Sequence, residues 1–230
     1  GVAFQDKGNS EAALESYRKA TKINPNYLEA YFNLGDIQQK KGNLNAAIEH
    51  YKKVLTINPN HSKAWNNMGN ALKAKGEKEA SIQYFDKALK LDPEFAEAHN
   101  NKGNFLRNKG DLNESILFFD QAISLKPNYP DAYYNKGSAL RDQGKHLEAL
   151  SSYNQALKYN PDLFEAREGR LEARQDICDW SELDQLGPEL KRLGITTPSV
   201  KPFGFLSTED HPERQLIRAS KYVLEKYNEE

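Results

Sequence analysis

The residues best placed to do chemistry in this chain are amides. Asparagine recurs at Asn33, Asn67, Asn101 and Asn135. Three residues on stand Asp36, Asn70, Asn104 and Ser138, and three further on stand Gln39, Lys73, Arg107 and Arg141. A carboxamide offers both a donor and an acceptor. A ladder of them at fixed spacing can pair with the backbone amides of an extended peptide whatever that peptide's sequence. The column Lys73, Arg107 and Arg141 would favour acidic side chains. Phe32, Asn66, Asn100 and Tyr134 flank the ladder on its other side. The same asparagines suit local helix packing or plain solvation equally well.

Other chemistry finds little support. The histidines at 50, 61, 99, 146 and 211 include no pair at the four-residue step that puts two ligands on one helix face. The one cysteine, Cys178, excludes an internal disulfide and a four-cysteine zinc site. Its neighbour Asp179 disfavours a thiolate, so it reads as a small buried residue. No catalytic residue, metal ligand or cofactor is expected. Thirty-two basic residues nearly cancel thirty-three acidic ones, which leaves no basic field for nucleic acid or an anionic membrane. No apolar run approaches the roughly 20 residues that span a bilayer, and no signal peptide is visible. A single cysteine fits a reducing compartment, and a cytoplasmic location is the expectation. Asn60-His61-Ser62 and Asn113-Glu114-Ser115 match the glycosylation pattern, which is short enough to arise by chance. The chain starts Gly1-Val2-Ala3 without a methionine, which fits a natural beginning further upstream.

What must position the ladder is a repeat. Prolines fall at Pro25, Pro59, Pro93, Pro127 and Pro161, each 34 residues after the last. Gly8, Gly42, Gly76, Gly110 and Gly144 keep the same step, as do Gly35, Gly69, Gly103 and Gly137. So do Ala30, Ala64, Ala98, Ala132 and Ala166. In one unit, Ala30, Leu34 and Ile37 form an apolar stripe at helical spacing. Gly35 stands in mid-helix, where glycine costs about 1 kcal/mol against alanine; its recurrence marks close approach of a second helix. Gly42 can end the first helix in a left-handed conformation. Asn43, and its counterparts Asn9 and Asp111, then read as N-caps of the second helix. Ala47, Ile48, Tyr51 and Leu55 carry that helix's apolar face, and Pro59 stops it. A small column (Ala13, Ala47, Ser81, Ser115, Ala149) and an aromatic column (Tyr17, Tyr51, Phe85, Phe119, Tyr153) imply knob-and-hole packing. The polar ladder lies about a third of a turn from the alanine–glycine stripe, at roughly 100° per residue.

The pattern Tyr31, Leu34-Gly35, Ala47, Tyr51, Pro59, followed by Trp65, Met68-Gly69, Ser81, Phe85, Ala88, Pro93, closely resembles the tetratricopeptide repeat. The resemblance covers roughly residues 1–163, with departures at Lys102 and Lys136, where leucine usually precedes glycine, and at Val54, where alanine is usual. It implies an all-α superhelical solenoid of antiparallel helix pairs. The units are a partial repeat at 1–27 and four full repeats at 28–61, 62–95, 96–129 and 130–163. Divergent capping helices follow at 164–194, where Gly169 stands in place of the next ladder asparagine, and then an extended linker and C-terminal helix at 195–230. In this family the first helices line the inner groove. The terminal-carboxylate clamp known in some members is not expected, because Phe32 and Asn66 stand in the column of its first lysine.

Cys178-Asp179-Trp180, Leu183, Pro198-Ser199-Val200 and Pro202-Phe203 resemble the junction after the repeats in O-linked N-acetylglucosamine transferase and SPINDLY-type proteins. That resemblance covers roughly 170–227. It implies a link to a glycosyltransferase domain that these residues do not contain. The leading expectation is a scaffold that binds an extended peptide or protein segment in the concave groove. The alternative is the substrate-recruiting arm of a protein O-glycosyltransferase, and a third possibility is an assembly module whose repeats stack on copies of themselves.

Overall fold

The structure is a computed structural model and describes Gly1 and residues 9–177. The readings made for residues 178–230, including the C-terminal helix and the glycosyltransferase-like junction, lie outside the described residues. The described residues contain ten α-helices and no strand. They are α1 (Ser10–Ile23), α2 (Leu28–Lys40), α3 (Leu44–Ile57), α4 (Ser62–Ala74), α5 (Lys78–Leu91), α6 (Ala96–Lys109), α7 (Leu112–Leu125), α8 (Pro130–Asp142), α9 (His146–Tyr159) and α10 (Phe164–Asp176). The even-numbered helices are the first helices of their repeats, and the odd-numbered ones the second.

Glycine sets where α2, α4, α6 and α8 stop. Gly42, Gly76, Gly110 and Gly144 have φ between 76° and 94°, a region a side chain would disfavour. The Gly42 N–H reaches the Gln39 carbonyl at 3.0 Å and the Asn43 N–H reaches Gln38 at 2.9 Å, which satisfies carbonyls the helix would leave open. The expected N-caps divide. Asn9 Oδ1 accepts from the Ala12 N–H at 3.1 Å. Asn43 instead donates to Gln38 Oε1 at 2.8 Å, and Asp111 pairs with Lys109 at 2.8 Å. The tight turn at the glycine folds both side chains back over the helix they follow, away from the one they would cap.

The other turn is held by a short acceptor. Asn24, Asn58, Asp92 and Asn160 each accept from the N–H two residues on, at 3.0–3.2 Å. At the corresponding Lys126 the ammonium reaches Glu97 at 3.0 Å and lies 4.6 Å over the Tyr129 ring.

The core is one layer repeated. Tyr51, Phe85, Phe119 and Tyr153 are fully buried. Each ring lies so close to Gly35, Gly69, Gly103 or Gly137 that a Cβ there would come within 2.5–2.8 Å of it. This is the close approach the glycine column implied, and burying one such ring contributes about 1.5–3 kcal/mol. Ser81 and Ser115 replace the small alanine, and their hydroxyls donate to the Lys78 and Leu112 carbonyls at 2.6 and 2.8 Å. The departures Lys102 and Lys136 reach Asp86 and Asp120 at 2.7 Å.

From α3 onward each second helix packs between its own first helix and the next one. Successive first helices also touch each other, at α2–α4, α4–α6, α6–α8 and α8–α10, whereas successive second helices do not. A stack held closer along one edge must bend toward it, which makes the first-helix face the inner one.

Candidate functional site

The ladder lies on this inner face, and the structure ties it together. Asn67 Nδ2 donates to Asp36 Oδ1 at 2.9 Å, Asn101 Nδ2 to Asn66 Oδ1 at 2.9 Å, and Asn135 Nδ2 to Asn100 Oδ1 at 2.9 Å. Every bond runs from one first helix back to the preceding one. Asn66 and Asn100 are buried at 3% and 6% exposure, so they serve as acceptors inside the stack and present no flank to a ligand. Phe32 is likewise occupied, its ring tilted against Tyr51 and His61 with centroids 6.0 and 5.0 Å away, and Tyr134 packs on Tyr153.

These bonds take one amide hydrogen from each of three ladder residues and hold the side chains in place. Asn67 Oδ1 accepts from Asn66 at 3.2 Å. The amide oxygens of Asn101 and Asn135, and the whole amides of Asn33, Asn70 and Asn104, have no hydrogen bond among the described residues. Asp36 is more engaged. It also accepts from the Tyr51 hydroxyl at 2.7 Å, and burial followed by the Asp36 charge pushes that hydroxyl's pKa well above the usual phenol.

The basic column is unevenly paired. Arg107 Nε donates to Asp142 Oδ2 at 2.6 Å. Arg141 pairs with Glu172 and, at 3.2 Å, with Asp176. Burial draws the Arg141 pKa down, but Glu172 and Asp176 hold it above its ordinary value. Lys73 has no carboxylate partner among the described residues, and burial lowers its pKa.

Sequence reasoning found the columns but missed Asn66, Asn100, Asp142, Glu172 and Asp176 as their partners. A signal was present. Residues 35 apart alternate donor and acceptor at Asn66/Asn101, Asn100/Asn135, Arg107/Asp142 and Arg141/Asp176. That offset is one more than the repeat and joins neighbouring first helices. His99 and Trp65, which share one repeat position, pack alike: each ring nitrogen meets the carbonyl of the preceding turn proline, and each ring lies against an aromatic of the second helix. Among the described residues no group of His, Cys, Asp and Glu could hold a metal ion, and no helix is long and apolar enough to cross a membrane.

Models of the tetratricopeptide repeat match residues 28–61, 62–95 and 130–163, a second repeat model matches 1–42 and 103–144, and a third matches 84–116. Together they run from residue 1 to 163 without a gap. None of them describes a glycosyltransferase. Among solved structures the chain is similar to MamA at 28% identity, over 69% of this chain and 93% of that one, with a TM-score of 0.59. It shares its fold with PilW, described as a widely conserved type IV pilus biogenesis factor, at 19% identity, over 85% and 91%, with a TM-score of 0.75. It also shares it with YrrB, described as having an unusual peptide-binding site, at 24% identity, over 74% and 87%, with a TM-score of 0.56. A search among curated proteins finds no match.

Proposed function

The chain belongs to the tetratricopeptide-repeat family, and from that premise we propose that it is a protein-interaction scaffold holding an extended peptide along the inner face of its first helices. One observation carries this reading. The ladder is braced by bonds between repeats, yet the Asn101 oxygen and the Asn33, Asn70 and Asn104 amides, all partly exposed, remain without partners, while Asn135 is buried within the stack. Amides already fixed in position lose little freedom when a peptide pairs with them, which favours binding. The peptide's own backbone supplies matching donors and acceptors at each repeat. YrrB, a stack of the same fold, is described by its peptide-binding site.

The test must spare the bonds that hold the stack. Replacing Asn67, Asn101 or Asn135 would strip partners from buried acceptors and confuse folding with binding. Asn33→Ala with Asn70→Ala removes amides that bond nothing. On an array of random ten-residue peptides this variant should lose at least about tenfold in binding while its helicity and Tm stay put. A variant of the outer face, Leu117→Ser with Leu147→Ser, should bind as the parent does; both leucines are more than half exposed. Binding kept by the asparagine variant and lost by the leucine one would move the site to the outer face.

A further inference from the structure

Two positions flank the basic residue of each first helix, and both belong to the following repeat. Around Arg141 they hold Glu172 and Asp176, both paired with it. Around Arg107 they hold Ser138 and Asp142, and the aspartate is paired. Around Lys73 the same two positions hold Asn104 and Asn108. The counter-charge thus falls from two carboxylates to one to none along the stack toward the N-terminus. Further that way, at Gln39, the cation itself is absent.

We propose that Lys73, with the amides of Asn104 and Asn108, forms a subsite that selects an acidic side chain of the bound peptide; this rests on the inner-face reading above. A ligand carboxylate takes the place that Glu172 and Asp176 fill beside Arg141. The ammonium supplies the charge, and each amide NH2 supplies a donor to a carboxylate oxygen. Neither asparagine has a competing hydrogen bond among the described residues. Lys73 is partly buried, so an anion there meets a cation less screened than one in open water. Its burial without a carboxylate neighbour also holds its pKa down, and an arriving carboxylate would reverse that. Arg107 and Arg141 are already neutralised and act as staples between repeats. Acid selection therefore falls at one point of the groove and sets the register of the peptide.

The test uses the same peptide array, with free and with amidated C-termini, and three proteins: the parent, Lys73→Gln and Asn108→Asp. The second variant puts beside Lys73 the carboxylate that Asp142 puts beside Arg107, and changes only an exposed loop-proximal residue. The parent should favour peptides with one Asp or Glu by about tenfold over their Asn or Gln equivalents, on amidated and free peptides alike. Both variants should lose that preference and still bind neutral peptides. A parent that binds without acid preference, or a preference that survives both variants, overturns the subsite and leaves the groove standing. A preference confined to free C-termini overturns the side-chain assignment in favour of a terminal carboxylate. No peptide binding by the parent overturns the subsite and the groove together.

Discussion

Lys73 on α4 and Arg141 on α8 occupy the same place in their repeats, above the same aromatic layer, yet the surroundings differ. Arg141 is closed off by Glu172 and Asp176, and the hydroxyl beneath it, on Tyr153, lies 3.3 Å from Ser138. In the repeat of Lys73 the layer's ring is Phe85, which has no hydroxyl, and the two positions of the next repeat that correspond to Glu172 and Asp176 hold neutral amides. The glycine-to-ring approach is nearly the same in both places, since a Cβ would come within 2.6 Å of the ring at Gly69 and 2.8 Å at Gly137. A repeat therefore separates two tasks. The inward stripe is fixed by packing, and the polar columns are free to vary from unit to unit, which is where one scaffold can differ from another.

Four changes probe that separation. If the core is common to both regions, Phe85→Ala and Tyr153→Ala should each destabilise by about 3–5 kcal/mol in urea unfolding. Tyr153→Ala should be the worse, because its ring also lies against Gly169 of α10. A cost confined to one of them would break the comparison. Gly69→Ala brings a methyl into the Phe85 ring and should cost about 1–3 kcal/mol by the same measurement. Glu172→Gln with Asp176→Asn should cost less than about 1 kcal/mol, since the Arg141 pairs are partly exposed and screened. The same change should hand Arg141 an acid preference on peptide arrays like that of Lys73, which sharpens the contrast most directly.

The smallest effect is one of pH. His61 Nδ1 accepts from the Ala64 N–H at 3.1 Å at the start of α4, a cap that only the neutral ring provides. Burial holds the pKa of His61 below its ordinary 6.5. The folded protein therefore binds this proton less readily than the unfolded chain does. The contribution is complete above pH 6.5 and is lost as the pH falls from there through the lowered folded value. Thermal melts from pH 7.5 to 5 should show part of the decline removed in His61→Asn, which caps without titrating. His50, also lowered by burial, should leave a remainder.

The fold was legible because its determinants are columns: a glycine where a ring approaches, a glycine where a helix turns, a proline where one stops. Each depends on residues close in sequence or on an exact repeat. The inner face was only half legible. That asparagines recur is a property of one helix, but what each bonds depends on how neighbouring first helices sit side by side. Asn66 and Asn100 read as flanks of a groove and prove to be buried acceptors. Asn43 and Asp111 read as caps by residue type, and the left-handed turn before them redirected both.

The bonds that brace the inner face reach no further than 35 residues along the chain, and helices touch only their neighbours or next-but-one. Assembly of such a chain closes only short loops, so its folding speed should depend little on how many repeats it carries. Each pair of helices can dock as soon as the next first helix has been made. A growing chain would thus lengthen its structured part stepwise during synthesis, without waiting for its far end.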